Sequence, residues 1–214
     1  MSAHVMTVAQ IREAEGVAMA SVSEDTLMAR AADAVAAEAE MMLADARGRL
    51  AGARVAVMVG AGNNGGDALL AAARLQHRGC RVTAVMVADR SHERSRLEAL
   101  DAGVTTVDAT DYPHIAQMAV ERADLVIDGI VGIGSSPGLR SPADALVASV
   151  GADTPVLAVD IPSGLDADSG AADATHVRAD ATVTFTALKA CLVEEPARAS
   201  TGRVIVADVG VPRR

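Results

Sequence analysis

Short apolar runs alternate with stretches of helical periodicity from Arg54 to near the end of the chain. The first run, RVAVMV at 54–59, has no polar residue after its first position, and several later runs are nearly as apolar. Strands of this kind are buried on both faces, and strands separated by helices pair in parallel through crossover connections. The alternation therefore predicts an α/β protein, a Rossmann-like three-layer αβα sandwich with a mostly parallel central sheet.

The remaining predicted elements complete this pattern. The first fifty residues are expected to be helical, with Ser23 as an N-cap, and Ser141 and Pro142 are expected to be the N-cap and first position of a later helix. With 214 residues and no linker or repeat, we expect one domain over residues 1–214. After the first strand, the predicted strands are 81–88, 104–107, 124–128, 155–161, 181–187 and 203–209.

Composition excludes several classes of partner. Asp and Glu outnumber Lys and Arg by 28 to 19, and Tyr112 and Phe185 are the only aromatic residues, so the chain repels polyanions and has no platform for stacking bases. It has no apolar stretch suited to a membrane span or a signal peptide, and Cys80 and Cys191 are too few for a disulfide framework. We expect a cytoplasmic protein that binds neither nucleic acid nor membranes.

The first predicted strand runs into a glycine-rich turn, GAGNNG at 60–65. The turn formally matches the dinucleotide-binding fingerprint, and Asp89 follows the next strand. Taken alone the match is weak, because a tight strand-to-helix turn needs glycine with or without a phosphate. A helix is predicted from about Gly66, which would place the Asp67 carboxylate in its first turn, where it would compete with a phosphate for the helix N-terminus.

Polar residues follow two further predicted strands. Asp128 ends an apolar strand and precedes a glycine-rich loop, and Asp160 and Ser163 follow the run VLAV. Because ligands bind at the carboxyl ends of parallel strands, loops 60–67, 128–140 and 160–170 are expected to converge on one crevice. A carboxylate at a buried edge needs a partner, which a cation would supply. Turn-stabilising roles are the alternative explanation for the Asn, Ser and Asp residues of these loops.

Four segments, taken in this order, resemble the NAD(P)H-hydrate epimerase family of the YjeF N-terminal type. They are VMVGAGNNGGDALLAAARL, LVIDGIVGIG, VLAVDIPSGLDADSG and TFTALKACLV. The resemblance extends over nearly the whole chain, and GNNGGD with VDIPSG is highly specific as a pair. It implies a Rossmann-like αβα fold and an isomerase that interconverts the R and S epimers of hydrated NADH or NADPH at the C6 hydroxyl, which serves nicotinamide nucleotide repair.

The resemblance also implies site residues. It implies K⁺ as a cofactor held by Asn64, Asp128 and Ser163, whose oxygen atoms suit that ion. Asp160 is expected to be the acid–base catalyst with Lys189 as its partner, although the preceding Leu188 stands where the family usually has proline. The implied substrate-binding residues are Asn63, Asn64, Gly65, Gly66, Asp67, Gly132, Ile133, Gly134, Ser135, Ser136, Pro137, Gly138 and Asp160.

Two other functions stay open at this level. The first is a nicotinamide-dependent dehydrogenase built on Gly60, Gly62, Gly65 and Asp89, and the second is a non-catalytic nucleotide-binding protein that serves a partner. The resemblance further implies a homodimer and a functional link to a dehydratase, which many bacterial relatives carry as a fused domain. Whether the chain acts alone or as half of a bifunctional enzyme, and whether it prefers hydrated NADH or NADPH, is open.

Overall fold

The computed structural model describes residues 5–134, 136–172 and 174–212. Its helices are α1 (Val8–Ala18), α2 (Glu24–Arg47), α3 (Asn63–His77), α4 (Glu93–Asp101), α5 (Pro113–Glu121) and α6 (Ala143–Ala148), with short 3₁₀ turns at Ala190–Leu192 and Ala197–Ser200. Its strands are β1 (Arg54–Val59), β2 (Arg81–Met86), β3 (Thr105–Asp108), β4 (Leu125–Gly129), β5 (Val156–Val159), β6 (Ala181–Phe185) and β7 (Arg203–Ala207).

The strands within the described residues form one seven-stranded sheet. Its order is β3-β2-β1-β4-β5-β6-β7, and every neighbouring pair is parallel. In the register, Val55 of β1 pairs with Val82 on one side and with Leu125 on the other. The strand order reverses between β1 and β4, which is the position where open parallel sheets bind ligands. The predicted α/β class is confirmed.

Alternate side chains of the strands face two separate hydrophobic cores. On β1, Val55, Val57 and Val59 join the core formed with α2 and α3, whereas Ala56 and Met58 join the core formed with α5 and α6. Successive residues of a strand point to opposite faces, so a strand that is apolar throughout fills both cores. The predicted three-layer sandwich is therefore confirmed as well.

Helix α3 begins earlier than the sequence pattern predicts. It starts at Asn63, with Gly62 as its N-cap, rather than near Gly66. Glycine is a poor helix former, which is why the glycine-rich run is typical of a turn. In the fold, a Cβ on Gly65 would lie 2.2 Å from the carbonyl oxygen of Gly60, so close packing requires glycine inside the helix. Tertiary packing has overridden local propensity at this point.

The other predicted helix starts are partly right. The first fifty residues are divided between α1 and α2, and Ser23 caps α2 as expected, with its side chain accepting a hydrogen bond from the first turn. For α6, the N-cap is Pro142 rather than Ser141, and the helix begins at Ala143. The expected roles of Ser141 as N-cap and Pro142 as first position are therefore wrong by one residue, and a proline N-cap has no side-chain oxygen to accept a hydrogen bond.

None of the helices in the described ranges is both long enough and apolar enough to cross a membrane. Cys80 and Cys191 are buried free thiols. Burial raises the pKa of Cys191 to about 12, so this thiol stays protonated and unreactive at neutral pH.

Asp124, immediately before β4, links α2 to β1. Its carboxylate accepts hydrogen bonds from the backbone N–H of Arg54 at 2.8 Å and from Arg54 Nη2 at 3.1 Å, and it pairs with Arg47 at the end of α2. Burial by itself would raise the pKa of Asp124, but the hydrogen bonds from Arg54 and the two positive charges lower it below its ordinary value. The ion pairs therefore favour the ionised carboxylate in the folded state.

Asp124→Asn is expected to lower the free energy of unfolding by about 1 kcal/mol at pH 7, because it removes charged hydrogen bonds that are partly exposed. A depressed folded-state pKa contributes stability above the unfolded pKa, and this stability is lost as the pH falls through the folded value. Urea unfolding at pH 7 and pH 3, with Asp45→Asn as an exposed control, measures the effect. A difference from wild type that persists undiminished at pH 3 would contradict this explanation.

Candidate active site

A cavity of about 470 Å³ lies at the carboxyl ends of β1, β4 and β5. One part of its wall is the start of α3, a second part is the segment 130–134 after β4, and Asp160 after β5 forms a third. Side chains of α1 and α2 cover the remaining side. The loops after β1, β4 and β5 therefore meet as expected, because parallel strands end at the same edge of the sheet.

Lys189 forms a buried ion pair with Asp160. The ammonium nitrogen lies 2.5 Å from Asp160 Oδ1, and it also donates to Thr184 Oγ1 at 2.7 Å and to the carbonyl oxygen of Phe185 at 3.0 Å. Lys189 is only 1% exposed, so these three partners fix its position. The departure from the family pattern at Leu188 leaves Lys189 beside Asp160, where it orients the carboxylate.

The second oxygen of Asp160 is directed towards the cavity. Oδ2 accepts a hydrogen bond from the backbone N–H of Ile133 at 3.3 Å. It also lies close to Gly132: a Cβ added to this glycine would be 3.0 Å from Oδ2. Asp160 has a φ of +69°, and Thr186, between β6 and Lys189, has a φ of +65°. Such values are uncommon for residues other than glycine, and strained backbone of this kind clusters at functional sites.

Asp128 and Ser163 lie beneath the cavity and are hydrogen-bonded to each other. Ser163 Oγ donates to Asp128 Oδ1 at 2.6 Å, and its backbone N–H donates to Oδ2 at 2.8 Å. The N–H of Ile130 supplies a further hydrogen bond to Oδ1 at 3.2 Å. Burial outweighs these donors and raises the pKa of Asp128 to about 6. Among the residues that the structure describes, no cationic side chain pairs with this carboxylate.

The first residues of α3 approach both of these groups. Asn64 Oδ1 lies close to Gly132, since a Cβ added to that glycine would be 3.2 Å from it. The backbone carbonyl oxygen of Asn64 lies close to Gly129, next to Asp128, where an added Cβ would be 3.4 Å away. Asn64 Nδ2 is buried and makes no hydrogen bond to any residue that the structure describes. The preceding Asn63 donates from Nδ2 to the Glu24 carboxylate at 2.7 Å. The side-chain amide nitrogen of Asn64 is therefore able to donate hydrogen bonds to a bound group.

Asp67 lies in the second turn of α3, because the helix begins at Asn63. The expectation that its carboxylate competes with a phosphate in the first turn is therefore wrong. Asp67 Oδ1 is buried and accepts no hydrogen bond within the described part of the chain. Burial raises the pKa of Asp67 well above its ordinary value, and the carboxylates of Asp160, Glu15 and Glu24 raise it further. These surroundings favour the neutral carboxyl group, which can donate a hydrogen bond into the cavity.

The structure divides the expected substrate-binding residues into two groups. Gly65 and Gly66 are buried behind the cavity wall, and Ser136, Pro137 and Gly138 lie away from it; Gly138 instead donates its backbone N–H to Gly164. Ser135 lies outside the described residues. Those that form the wall are Asn63, Asn64, Asp67, Gly132, Ile133, Gly134 and Asp160.

Three residues at or beside the cavity are not indicated by any pattern in the sequence. Arg12 and Glu15 of α1 line the cavity, and Thr184 of β6 binds both Asp160 and Lys189. The three-residue spacing of Arg12 and Glu15 places them on one face of a helix, but it does not indicate what that face contacts. Only the packing of α1 against the sheet brings them to the site.

The dinucleotide fingerprint is not assembled in the way a dehydrogenase requires. Asp89 is exposed and is not part of the described cavity wall. A Cβ on Gly60 would lie 1.8 Å from the carbonyl oxygen of Ile130, so this glycine is explained by packing alone. The geometry gives no separate support to the dehydrogenase hypothesis.

Comparison with known proteins identifies relatives over most of the chain. The chain is 44% identical over 202 residues to an NAD(P)H-hydrate epimerase of Clavibacter michiganensis, a match that covers 85% of this chain and 87% of the relative. It is 40% identical over 210 residues to a bifunctional NAD(P)H-hydrate repair enzyme Nnr of Mycobacterium tuberculosis. That match covers 97% of this chain but 42% of the relative, so the chain spans less than half the length of the bifunctional enzyme.

A solved structure agrees with the fold. Yeast ynu0, YNL200c, superposes with a TM-score of 0.76 at 21% identity, covering 95% of this chain and 87% of the yeast chain. The sequence profile of the YjeF-related protein N-terminus matches residues 24–191. This range includes α2, the glycine-rich turn, Asp128, Asp160 and Lys189. The chain therefore belongs to the YjeF-related protein N-terminus family.

Proposed function

We propose that this protein is an NAD(P)H-hydrate epimerase, an isomerase that interconverts the two epimers of hydrated NADH or NADPH. The observation that carries the proposal is the match, over most of both chains, to a relative with that name. The cavity supports it, because a volume of about 470 Å³ falls in the range of small-molecule sites and lies at the switch point of a Rossmann-like sheet.

Inversion at a carbon that bears a hydroxyl group and a ring nitrogen breaks a bond to oxygen or to nitrogen and forms it again on the other face. Either route needs one group that gives a proton and one that takes it. Asp160 Oδ1 is engaged by Lys189, whereas Oδ2 is directed towards the cavity at Gly132. Asp160 is accordingly the proposed proton-transfer group, and Lys189 the residue that holds its carboxylate in place.

Substrate binding is proposed for the start of α3 and the segment 130–134. The first N–H groups of a helix have no partner within it and favour anions such as the phosphates of a nucleotide. With Asp67 in the second turn, the N-terminus of α3 carries no acidic side chain in its first turn, which supports this role. Arg12 is an exposed cation in the same wall. The helix N-terminus and Arg12 therefore suit the phosphate groups of a nucleotide.

A potassium ion is proposed at Asn64, Asp128 and Ser163. The Asp128 carboxylate is fully buried and faces donors but no cation among the described residues, so a cation would compensate its charge. The described residues hold no group of three or more His, Cys, Asp or Glu arranged for a metal ion. Carboxylate, hydroxyl and amide oxygens fit K⁺ instead. The ion would neutralise Asp128 and join three loops beneath the cavity.

Wild-type protein is expected to melt at a higher temperature in KCl than in tetramethylammonium chloride of equal ionic strength. Binding to the folded state stabilises by about 1.4 kcal/mol at ten times Kd and about 2.7 kcal/mol at a hundred times Kd. Thermal melts in the two salts measure the difference, which Asp128→Asn should abolish. Identical melting temperatures of the wild-type protein in both salts would contradict the proposed potassium site.

The epimerase assay follows purified R epimer of hydrated NADH by chromatography that separates R from S. Enzyme is expected to bring the two epimers to equilibrium faster than the uncatalysed reaction, which is measured in parallel and subtracted. A dehydrogenase would instead change the absorbance of a nicotinamide cofactor through hydride transfer. A binding protein would melt at a higher temperature with the substrate and leave the epimerisation rate at background. Either result would reject the proposal.

The wider setting is also proposed. The relatives named bifunctional repair enzymes support a functional link to a dehydratase. Such a partner would consume one epimer, and rapid interconversion would supply that epimer from the other. A cytoplasmic location is supported by the free thiols of Cys80 and Cys191, since reducing compartments keep thiols unpaired. A homodimer is proposed from the family resemblance, and light scattering after size-exclusion chromatography tests it.

A further inference from the structure

Helix α1 lies outside the family match, which begins at residue 24, and yet it forms one side of the cavity. Two hydrogen bonds anchor its beginning: the N–H of Met6 donates to the carbonyl oxygen of Leu188 at 2.9 Å, and the N–H of Val8 donates to Asp168 Oδ1 at 2.8 Å. Ile11 is fully buried against Met6 and Ala187. The helix is thus attached to the segment that carries Lys189.

This attachment places Glu15 at the site. Glu15 lies one helical turn after Ile11 on the same face of α1, and its half-buried carboxylate lines the cavity together with Asp160. The hydroxyl of Thr186 lies near this carboxylate, and Thr186 Oγ1 is buried without a hydrogen-bond partner among the described residues. The position of Glu15 therefore adds a carboxyl group from α1 to a site that already contains Asp160 after β5 and Asp67 on α3.

The two carboxyl groups differ in their surroundings. Asp160 has an ammonium group at 2.5 Å, whereas Glu15 is not ion-paired among the described residues. The charged or titratable groups near Glu15 are Asp160, Lys189 and Arg12, and Asp67 of α3, whose own pKa is raised in part by Glu15. Burial, followed by the charge of Asp160, raises the pKa of Glu15, while Lys189, Thr186 and Arg12 lower it by less. Burial thus favours the protonated form of Glu15, which suits an acid, whereas Asp160 is held as the ion-pair partner of Lys189.

We propose that Glu15 is the second proton-transfer group of the epimerase, working with Asp160 as an acid–base pair. This inference rests on the proposed function. Neutral Glu15 would give its proton to the hydroxyl group that must leave, and ionised Asp160 would take the proton from the water that replaces it. In the reverse direction the two residues exchange roles.

The cavity wall favours breaking of the carbon–oxygen bond. Glu15 protonates the C6 hydroxyl group, the C6–O bond breaks with both electrons going to oxygen, and water leaves. The lone pair of the ring nitrogen forms a C6=N bond, which places a positive charge on the ring. Giving up its proton leaves Glu15 as an anion in the same wall as Asp160, and the two carboxylates would offset that charge.

The second half of the step restores the molecule with inverted configuration. Water adds to the other face of C6, the electrons of the C6=N bond return to nitrogen, and Asp160 takes the proton from the added water. Solvent water then carries this proton from Asp160 back to Glu15. The cycle consumes no oxidant, reductant or co-reactant, because the water released equals the water added.

The test compares Glu15→Gln and Glu15→Asp with Glu13→Gln, an exposed position on the same helix. Glu15→Gln is expected to lower kcat about 100-fold or more while KM and the melting temperature stay near wild type. Glu15→Asp should be more active than Glu15→Gln, because aspartate keeps the carboxyl group on a side chain that is one methylene shorter. Glu13→Gln should match wild type in all three measurements.

The pH profile separates proton transfer from a structural role. Wild-type kcat/KM is expected to fall on the alkaline side as Glu15 loses its proton, and Glu15→Gln should lose this limb, since glutamine does not ionise. A Glu15→Gln enzyme with kcat within about threefold of wild type, a rise in KM alone, or an unchanged alkaline limb would each overturn the inference.

The same assay distinguishes this inference from the proposed function. If wild-type protein does not raise the rate of R–S interconversion above background, both the proposed function and this inference are wrong. An active wild-type enzyme whose Glu15→Gln variant is equally active removes the inference alone and leaves the epimerase intact.

Discussion

Asp160→Asn is expected to lower kcat by ~10²–10⁴-fold, the usual contribution of a positioned general acid or base. Asparagine keeps the shape of the side chain and tolerates the left-handed φ of +69°, so the backbone after β5 should be retained. What it loses is the ability to take a proton at the cavity-facing oxygen. Single-turnover and steady-state epimerisation rates, corrected for the uncatalysed reaction, measure the loss.

The same substitution is expected to destabilise the fold. Lys189 is 1% exposed, and in the variant its ammonium group has only neutral acceptors: Thr184, the Phe185 carbonyl oxygen and the amide oxygen of the new asparagine. Removing one partner of a buried ion pair leaves an uncompensated charge and costs about 3 kcal/mol or more. The melting temperature of Asp160→Asn should therefore fall, and the activity must be assayed well below it.

A double variant separates the two effects. Adding Lys189→Met to Asp160→Asn removes the unpaired charge, so part of the lost stability should return, while the activity should stay low. If activity returned together with stability, Asp160 would be a structural residue. A single Asp160→Asn variant with kcat near wild type would remove it from the mechanism.

Gly132→Val is expected to reduce kcat/KM by about 100-fold or more, since a displacement of about 1 Å in a reactive group has effects of that size. A Cβ at this position would lie 3.0 Å from Asp160 Oδ2 and 3.2 Å from Asn64 Oδ1. The branched side chain would push the carboxylate out of place and fill the cavity beside it. The effect arises from close approach, since positive φ in this loop occurs at Gly138 instead.

A graded pair of variants tests this explanation. Gly132→Ala adds one carbon and should be impaired less than Gly132→Val, and both should unfold at urea concentrations close to wild type, because the bulk enters a cavity and not the core. Substrate binding by calorimetry and the epimerisation rate give the two readouts. Unchanged binding and rate in Gly132→Val would show that this segment does not meet the substrate.

Much of the fold follows from local pattern. Strands such as 54–59 and 155–161 are apolar on both faces, and this requires helices on both sides of a parallel sheet. Once the strands are known to be parallel, the loops after β1, β4 and β5 must meet at one edge, which is how Asn64, Gly132 and Asp160 could be expected to lie together. The expectation of a single domain over residues 1–214, the homodimer and the potassium ion stay predictions.

Other features depend on contacts between residues far apart in the chain. Helix α3 begins at Asn63 because Gly65 packs against Gly60, and no helix propensity contains that information. This early start moves Asp67 out of the first turn, which then contains no acidic residue of the helix itself. A shift of one turn thus reverses the electrostatic argument made from sequence.

The αβα architecture and the oxygen-rich loops follow from the amino-acid sequence, because residue periodicity and the direction of parallel strands act along the chain or through the whole sheet. The side chains that complete the site depend instead on how distant parts of the chain pack together. Lys189 meets Asp160, and α1 brings Glu15 to the same cavity, through burial and hydrogen bonds across long sequence separations. Such contacts depend on how helices pack against the sheet, and the spacing of residues within one element does not specify that packing.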